Sequence, residues 1–351
     1  MEETKKRAQP TQTFLDKLKN TFQDYEEEIP IITHNYPDPD AISSALGMVQ
    51  ILKLLGLKPG GIYYTGEISH PQNKSLVTVF NITLINYEKI PFESGVKAVC
   101  VDISNVGEGT NQTGITDVNI KAVVDHHKSK AIKGAISDIR HVGSCASIIW
   151  SLLTDLNFDF SSDEGCQLAT ALLVGLKTDT QDLTSETAES LDFEAQQHLI
   201  KYIDRQKFVS IINYPLPEYY FELKQRANEV KYIANSTIVA GVGIISPAKR
   251  DIIPVIADEF LRMSGIETSI IFAIIDDCID VSMRSINITV DIEEFLQTVF
   301  KTGGGKKGAG RAKIPLGFFE LNGIDNDAKN ALWEVVKTFV IQKVMTNVKG
   351  D

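Results

Sequence analysis

The sequence is poor in cysteine and has no long hydrophobic run. It has four cysteines without any Cys-x-x-Cys spacing, at Cys100, Cys145, Cys166 and Cys278. This arrangement indicates neither a zinc knuckle nor a disulfide framework. No apolar stretch reaches the roughly 18 residues of a membrane span, so we expect no membrane partner. The charged segment Met1 to Arg7 is not followed by an apolar core, and we therefore expect no secretory signal and a cytoplasmic, reducing compartment.

Basic residues are too few to give the whole surface a positive charge. The chain has 46 acidic and 35 basic residues, a formal net charge of −11 and a pI of about 5.1. Such a body repels a long polyanion, so we expect no extended nucleic-acid footprint, although a local basic site stays open. The sequence also shows no evident Ser-His-Asp arrangement, and its glycine-rich stretch lacks the spacing of a P-loop.

The length and the order of apolar segments predict two α/β domains. With 351 residues, of which 43% are hydrophobic and 23% charged, the chain has the composition of an ordinary globular protein. Strand-like and helical patterns alternate through the first half, which predicts a mainly parallel sheet. A more polar, helical stretch follows, and a new pattern begins near Pro215 and Pro217. We predict a first domain over 1–185, a helical linker over 186–215 and a smaller α/β domain over 216–351.

The periodicity also predicts individual elements. In the first half we predict strands over 31–33, 61–64, 96–101 and 121–124, helices over 13–25, 41–55, 145–153 and 164–176, and a loop over 66–73. In the second half we predict helices over 218–232, 255–263, 292–300 and 328–345, a strand over 236–245, and a hairpin of 269–275 with 278–285 around Asp276–Asp277. Asp40 is a candidate cap for the helix that begins near Ala41.

Four apolar segments of the first half each lead into carboxylate or imidazole side chains. These side chains are His34, Asp38 and Asp40 after 31–33, Asp102 after 99–101, Asp125, His126 and His127 after 123–124, and Asp179 after 172–176. Carboxylate and imidazole without thiolate suit Mn²⁺, Mg²⁺, Co²⁺ or Fe²⁺, and the carboxyl ends of parallel strands converge where ligands bind. Pro39 makes the carboxylates on either side of it diverge, so each can serve a different ion. Two ions about 3.5–4 Å apart can activate a water and clamp a phosphoryl oxygen. Each residue alone also has a structural interpretation, such as capping or the orientation of a neighbour.

These segments resemble the four motifs of the DHH phosphoesterase superfamily, in the family's order. The matching segments are His34–Ala41, Asp102, Asp125–His127 and Gly175–Thr180. The resemblance implies a doubly wound DHH metal-binding domain, a linker and a smaller DHHA1 substrate-binding domain, with the active site in the cleft between the domains. Gln181 stands where the family often has glycine, which affects the local loop rather than the ligands.

The resemblance also implies a role for each residue. His34 and Asp38 would hold one ion, Asp40, His126 and Asp179 the second, and Asp102 would bridge the two. His127 would face the scissile phosphate, and Asp125 would steer the imidazole of His126. The predicted catalytic residues are therefore Asp102, Asp125 and His127, acting with a water that the two metal ions activate.

The second half contains a glycine-rich, basic stretch. Lys301–Lys313 has five glycines and five basic residues, and such stretches bring backbone N–H groups and positive charge to an anion. The stretch resembles the GGGHxxAAG loop of the oligoribonuclease and pAp-phosphatase branch of the family, with Lys306 in place of the histidine and Arg311 in place of the last glycine. Val281–Ser285 resembles the family's S-x-R-S strand. A flexible turn and a surface charge are the simpler interpretations of the two segments. The predicted substrate-binding residues are Arg284, Gly303, Gly304, Gly305, Lys306, Lys307 and Arg311.

Together these features predict a metal-dependent phosphoesterase with two divalent ions, Mn²⁺ before Mg²⁺ or Co²⁺. The predicted substrate is a short oligonucleotide or 3′-phosphoadenosine 5′-phosphate (pAp), with no long nucleic acid as partner and a homodimer left open. Short-chain polyphosphate or pyrophosphate is the alternative substrate. Two other classes stay open: a catalytically silent nucleotide-binding regulator, and a single-strand-binding module in which Phe300, Phe318 and Phe319 flank the basic stretch.

Overall fold

The protein is described by a computed structural model that covers residues 8–93, 95–103, 115, 118–127, 132–306, 308–319, 321 and 323–348. The chain divides into two compact units, Met1–Pro215 and Leu216–Asp351. Each unit has its own sheet and its own buried apolar cores. The predicted α/β class is confirmed. None of the helices in these ranges is both long and apolar enough to cross a membrane.

In the described part of the N-terminal unit, six parallel strands form a sheet in the order β3-β2-β1-β4-β5-β6. The strands are β1 (Ile29–Ile32), β2 (Pro59–Tyr64), β3 (Leu84–Asn86), β4 (Lys97–Val101), β5 (Asn119–Asp125) and β6 (Ile136–Ile139). The helices are α1 (Ala8–Phe22), α2 (Pro39–Leu54), α3 (Pro71–Val79), α4 (Cys145–Asp155), α5 (Asp163–Asp179), α6 (Ser190–Leu199) and α7 (Arg205–Ile212).

The strand order reverses between β1 and β4, which are neighbours in the sheet. The chain first builds outward from β1 through β2 to β3, and then continues on the other side of β1 with β4. At such a switch point the connections leave the strands in opposite directions, and a crevice opens at the carboxyl ends. Both central strands are buried on two faces: in β1, Ile31 packs in one core and Ile32 in another, and in β4 Val99 and Cys100 divide in the same way. The predicted buried parallel strands are confirmed.

Several elements of this unit differ from the sequence-based prediction. The predicted loop over 66–73 ends in helix α3, which begins at Pro71, and His70 caps this helix by accepting the amide of Gln72 at Nδ1 (3.3 Å). The strands β3 and β6 were not predicted, because they are short and only partly buried. The predicted linker segment contains α6 and α7, and Ala195 and Leu199 of α6 are buried in the core of the N-terminal unit.

The C-terminal unit is a mixed sheet with helices on both faces. Its described strands have the order β11-β12-β10-β9-β8-β7, in which β8 and β9 are parallel and the other neighbours antiparallel. They are β7 (Tyr232–Ala234), β8 (Thr237–Ile245), β9 (Thr268–Ile275), β10 (Cys278–Ser285), β11 (Gly304–Lys306) and β12 (Ala309–Pro315). The helices are α8 (Glu218–Val230), α9 (Ile252–Phe260), α10 (Ile292–Phe300) and α11 (Asn326–Val348), with a 3₁₀ turn at Pro247–Lys249.

Alternation along the strands builds the two cores of this unit. Ile238 and Ile271 pack with α8 and α9, whereas Val239, Ile270 and Phe272 pack with α10 and α11. This is the period-2 pattern of strands covered on both faces. The hairpin predicted around Asp276–Asp277 is confirmed, since β9 and β10 pair from Thr268 with Ser285 to Ile275 with Cys278.

The glycine-rich stretch forms paired strands rather than a flexible turn. Strand β11 pairs with β12, and Gly305 lies opposite Gly310. A Cβ atom at Gly310 would lie 2.3 Å from Cγ2 of Ile292 on α10. Glycine is therefore needed here because the hairpin lies directly against that helix. Lys306 contributes its backbone to β11, and Lys307 lies outside the described residues.

Candidate active site

Six acidic and imidazole side chains meet at the carboxyl end of the parallel sheet, beside the β1–β4 switch point. Three follow β1, one follows β4, one follows β5, and one is the last residue of α5: His34, Asp38, Asp40, Asp102, His126 and Asp179. The sequence-predicted donors are thus brought together. Asp179 differs from the other donors because it lies at the end of a helix rather than after a strand. This helix, α5, continues three residues beyond its predicted end.

The six residues form two groups, in each of which the donor atoms lie within 4.8 Å of one another. In the first group, Nε2 of His34 lies 3.9 Å from Oδ1 of Asp38 and 3.4 Å from Oδ2 of Asp102. In the second group, Nε2 of His126 lies 3.3 Å from Asp179 Oδ2 and 3.9 Å from Asp40 Oδ2.

Asp102 connects the two groups. Its Oδ2 faces His34, and its Oδ1 lies 3.3 Å from Nε2 of His126. The residue has a left-handed backbone (φ 57°), a conformation that aspartate tolerates better than most residues. Its amide donates to the carbonyl of Val124 (2.9 Å), which ties the turn after β4 to β5. One carboxylate therefore presents one oxygen to each group.

The donor set fits a pair of divalent cations. Asp102 is only 2% exposed, and its Oδ1 accepts no hydrogen bond from any described residue. A buried oxygen without a partner is costly unless another group satisfies it. The surrounding atoms are carboxylate oxygens and imidazole nitrogens, and thiolates are absent from the donor groups found among the described residues. A hard or borderline divalent ion at each group would satisfy the orphaned oxygen.

Backbone groups fix the two imidazoles in a metal-binding orientation. Nδ1 of His126 lies 3.0 Å from the carbonyl oxygen of Val142, and Nδ1 of His34 lies 2.8 Å from that of Asn35. A carbonyl oxygen only accepts, so each Nδ1 carries the proton. In the neutral ring, Nε2 then carries the lone pair, and it points to the carboxylates of its group.

Backbone amides also fix two carboxylates. Asp38 is the cap of α2, and its Oδ1 accepts the amides of Asp40 (2.9 Å) and Ala41 (3.0 Å). The prediction that Asp40 caps this helix is wrong, because Asp40 lies inside the first turn. Its two oxygens instead accept the amides of Cys145 (2.7 Å) and Ala146 (2.8 Å) at the start of α4.

Asp125 and His127 form a separate pair beside the cluster. Asp125 is fully buried, and its Oδ1 lies 2.8 Å from Nδ1 of His127 and accepts the amide of His126 (2.9 Å). The carboxylate therefore orients the ring of His127, whereas the ring of His126 is oriented by Val142. The side chain of His127 is 53% exposed, so part of its ring faces solvent.

The electrostatics of the cluster favour positive charge at both imidazoles. Burial works to lower the pKa of His126, but the carboxylates led by Asp102 outweigh it and raise this pKa to about 11. The pKa of His34 is likewise raised well above its ordinary value, against burial, by Asp102 and Asp38. Burial works to raise the pKa of Asp102, but the two imidazoles outweigh it, and this pKa is lowered overall. The pKa of Asp40 is raised well above its ordinary value, first by burial and then by the charge of Asp102. A metal cation competes with protons for these positions.

A second concentration of charge lies within the C-terminal unit. A pocket of about 320 Å³ is lined by three arginines, Arg250, Arg284 and Arg311, together with Ser282 and the glycines Gly304, Gly305 and Gly310. Four of the predicted substrate-binding residues are therefore in one place. Gly303 is not among the lining residues; its positive φ of 115° and the 2.8 Å between its ideal Cβ and the carbonyl oxygen of Arg311 give it a structural role. Of Lys306 the backbone alone is described.

Aspartates hold these arginines in position. Asp280 binds Nε of Arg250 (3.1 Å) and both Nε (2.9 Å) and Nη2 of Arg311. Burial raises the pKa of Asp280 to about 6, and Arg250 opposes this shift. On the other side, Asp258 accepts Nε of Arg284 (2.9 Å).

Arg250 and Asp280 are not among the site residues predicted from the sequence. A signal for Asp280 exists, because polar residues alternate with apolar ones along β10 and place Asp280, Ser282 and Arg284 on one face. Arg311 lies directly opposite Ser282 on β12 and so belongs to the same face. Arg250 follows an isolated 3₁₀ turn and has no comparable pattern.

Comparisons with known proteins agree with this architecture. The profile of the DHH family, N-terminal domain, matches residues 28–176. An uncharacterized protein of Methanocaldococcus jannaschii is 33% identical over 331 residues, which are 94% of this chain and 66% of that protein. A probable manganese-dependent inorganic pyrophosphatase of Streptococcus thermophilus is 25% identical over 179 residues, 50% of this chain and 55% of the enzyme. The chain thus spans less than two thirds of the length of either relative.

The fold as a whole has a counterpart among solved structures. The crystal structure of an exopolyphosphatase-related protein from Bacteroides fragilis superimposes with a TM-score of 0.65, at 16% sequence identity. The match covers 95% of this chain and 98% of that chain. At this identity the likeness establishes the shared fold.

Proposed function

The chain belongs to the DHH family, and from this premise we propose that it hydrolyses phosphoester bonds of a small phosphorylated substrate with two divalent cations. The observation that carries the proposal is the buried carboxylate of Asp102, with one oxygen toward each donor group and no hydrogen bond to Oδ1 within the described chain. His34, Asp38 and Asp102 would hold one ion, and Asp40, His126, Asp179 and Asp102 the other. When bound, such ions polarise a phosphoryl group and lower the pKa of a water.

Mn²⁺ is the ion that we propose for both positions. Mixed imidazole and carboxylate donors suit it better than Ca²⁺, which prefers oxygen alone, or than the thiolate-bound metals. The name of the manganese-dependent pyrophosphatase relatives supports the same choice.

We assign His127 to the substrate rather than to a metal. Its Nδ1 is held by Asp125, and its side chain is 53% exposed. As an imidazolium, the ring can donate Nε2–H to a phosphoryl oxygen or to the leaving group while Nδ1–H donates to Asp125. Asp125 would thereby act through His127.

The arginine pocket of the C-terminal unit would bind a phosphate group. Guanidinium groups present planar, paired donors that match phosphate oxygens. Asp280 and Asp258 orient them before a ligand arrives, which lowers the entropic cost of binding. Ser282 and the glycines line the same pocket, and its volume of about 320 Å³ leaves room for a phosphate group.

Short oligonucleotides and pAp are the substrates we propose, because they carry more than one phosphate and are small enough to escape repulsion by a body with net charge −11. Pyrophosphate or short polyphosphate is the second candidate, supported by the sequence match to the pyrophosphatases over half of the chain. The presence of all six donor side chains supports turnover rather than a silent regulatory role.

Product analysis on a small panel tests the proposal. The full-length protein with Mn²⁺ would be incubated with a 5′-phosphorylated dinucleotide, a five-nucleotide RNA, pAp, short polyphosphate and pyrophosphate, with Asp102→Asn and a chelator as controls. We expect mononucleotides from the RNAs and AMP from pAp. Phosphate released from pyrophosphate or polyphosphate alone would select the second candidate. Bound Mn²⁺ without any turnover would contradict both and favour a regulator.

A further inference from the structure

One short segment, Val142–Ser147, supports the second donor group from outside. The carbonyl of Val142 holds Nδ1 of His126 (3.0 Å). Three residues later, the amides of Cys145 and Ala146 donate to the two oxygens of Asp40 (2.7 and 2.8 Å). The relative position of these two donor side chains therefore depends on this segment.

The segment is in turn held by Asp192, a fully buried carboxylate on α6. Its Oδ2 accepts the amide of Gly143 (2.7 Å), and its Oδ1 accepts the hydroxyls of Ser144 (3.2 Å) and Ser147 (2.6 Å). The same Oδ2 accepts the amide of Glu189 at the start of α6 (2.9 Å). Asp192 thus fastens the segment to a helix that begins more than forty residues later in the chain.

Helix capping explains only one of these bonds, the one from the amide of Glu189, which belongs to the capping box at the start of α6. Ser144 already caps α4, since its Oγ accepts the amide of Ser147 (3.2 Å). Asp192 adds three bonds to the segment, including one to Gly143, which lies outside the helix. A helix cap needs an acceptor for one or two amides of its own first turn.

Close packing extends the support to the third member of the group. A Cβ atom at Gly143 would lie 2.5 Å from Cγ2 of Thr180 and 2.9 Å from Oδ2 of Asp192. Thr180 directly follows Asp179 and is itself fully buried. A shift of the segment would therefore be transmitted through these contacts to all three donors of this group. These contacts do not include His34 or Asp38.

We propose that Asp192 is a positioning residue that sets the affinity of the Asp40–His126–Asp179 group for its divalent cation. This inference rests on the proposed metal centre. Asp192 contacts none of the donors, and it acts by fixing the amides and the carbonyl that orient them. Loss of a group that orients metal ligands typically weakens metal binding about ten- to a hundredfold.

The test is Mn²⁺ binding to the full-length Asp192→Asn protein, measured by electron paramagnetic resonance of the free ion, with thermal unfolding recorded in parallel. An amide keeps the size of the side chain, but its NH₂ group cannot accept the donors that Oδ1 or Oδ2 now accepts. We expect two tight ions per wild-type chain. In the variant we expect one ion to bind with unchanged affinity and the other about ten- to a hundredfold more weakly.

Asp204→Asn is the matched control. Asp204 caps α7 by accepting the amide of Lys207 (3.1 Å), in the same unit and without a hydrogen bond to the Val142–Ser147 segment among the described residues. We expect this variant to lower the unfolding temperature and to leave both Mn²⁺ affinities unchanged. A purely structural role of Asp192 predicts the same behaviour for both variants.

The outcomes separate the two proposals. A folded Asp192→Asn protein that binds both ions as the wild type does would overturn the role of Asp192 and leave the proposed function intact. A wild-type chain that binds no Mn²⁺ would overturn both. If Asp192→Asn does not fold, Ser147→Ala replaces it; this variant removes one hydroxyl donor, and we expect a severalfold weaker second ion. Unchanged binding there would also overturn the inference.

Discussion

In the N-terminal unit a buried aspartate faces imidazoles, and in the C-terminal unit a buried aspartate faces guanidinium groups. Asp102 and Asp280 are 2% and 4% exposed. Asp102 has an oxygen that accepts no hydrogen bond from the described chain, whereas both oxygens of Asp280 are bound by Arg250 and Arg311. The first carboxylate has capacity left for a cation. The second is satisfied within the protein, and its effect is to shape a site for an anion.

The comparison separates two uses of a buried charge. Burial alone does not distinguish them, since both residues are almost inaccessible. Their hydrogen-bond partners do, because Oδ1 of Asp102 accepts no hydrogen bond from the described chain, whereas both oxygens of Asp280 accept from arginines. The predictions below test this distinction, in order of decreasing expected effect.

The substitution Asp102→Asn gives the largest expected effect. It removes the charged oxygen shared by the two donor groups and so weakens the binding of the metal ions. Because such ions stabilise the charge of the transition state by several kcal/mol, we expect a loss of activity of about a thousandfold or more. The metal-free protein should unfold at a lower temperature, since the two imidazoles that lower the pKa of Asp102 lose their charged partner. Activity assays, Mn²⁺ titration and thermal unfolding check these points.

Asp280→Asn is the control for this prediction. It removes a charge of similar burial, but it leaves Arg250 and Arg311 without their carboxylate. We expect unchanged Mn²⁺ affinity and a lower unfolding temperature, whereas Asp102→Asn should lose Mn²⁺ affinity. Equal Mn²⁺ affinities of the two variants would show that the number of hydrogen-bond partners of a buried carboxylate is no guide to its function in this protein.

The substitution His127→Ala should have the next largest effect. Loss of a group that transfers a proton or donates to the phosphoryl group lowers kcat by roughly a hundredfold or more. Both Mn²⁺ affinities should stay unchanged, because Nδ1 is engaged by Asp125 and the side chain is 53% exposed, unlike those of His34 and His126. His127 also forms a donor group with Asp102 and His126. If the variant loses one ion, His127 is a metal ligand and our assignment is wrong.

The metal cluster was largely predictable because its residues lie next to strand ends in the sequence. Apolar runs mark β1, β4 and β5, and the donors follow each run within a few residues. Parallel strands bring their carboxyl ends to one edge, so local patterns are enough to predict that the donors meet. Family resemblance supplied their division into two groups, and the distances within the groups agree with it.

The supports of the cluster and the arginine pocket were not predictable in the same way. Asp40 is held by amides more than a hundred residues away, and Asp192 contacts a turn that no motif marks. The pocket depends on the antiparallel register of β10 with β12 and on Arg250 from a separate turn. Such contacts are set by tertiary packing, which leaves no periodic signal in one segment. Short edge strands such as β3 were missed for the related reason that little of their surface is buried.

The substitution Arg250→Ala tests the anion side of the comparison. A charge-assisted contact to a phosphate contributes about 1.5–3 kcal/mol, so KM should rise roughly ten- to a hundredfold. The metal centre is untouched, and kcat at saturating substrate should stay within a factor of about two. Steady-state kinetics with the best substrate of the panel measure both constants.

Arg262→Ala is the matched control for Arg250→Ala. Arg262 is an exposed arginine just after α9 in the same unit and does not line the pocket. It should leave KM unchanged. A fall in kcat with constant KM in Arg250→Ala would contradict a role in substrate binding.

The substitution Asp258→Asn should have the smallest effect, and its sign is informative. Asp258 is 57% exposed, so its ion pair with Arg284 contributes at most about 1 kcal/mol. Arg284 keeps the hydroxyl of Ser282 (3.2 Å) and the carbonyl of Met283 (3.1 Å) as anchors. Removal of the carboxylate therefore frees positive charge for the anion more than it loosens the arginine, and KM should fall about twofold at low ionic strength. The difference should vanish at high salt, where exposed charges are screened. A higher KM at both salt concentrations would mean that Asp258 orients Arg284 as firmly as Asp280 orients its two arginines. Exposed and buried carboxylates would then have the same effect in this pocket.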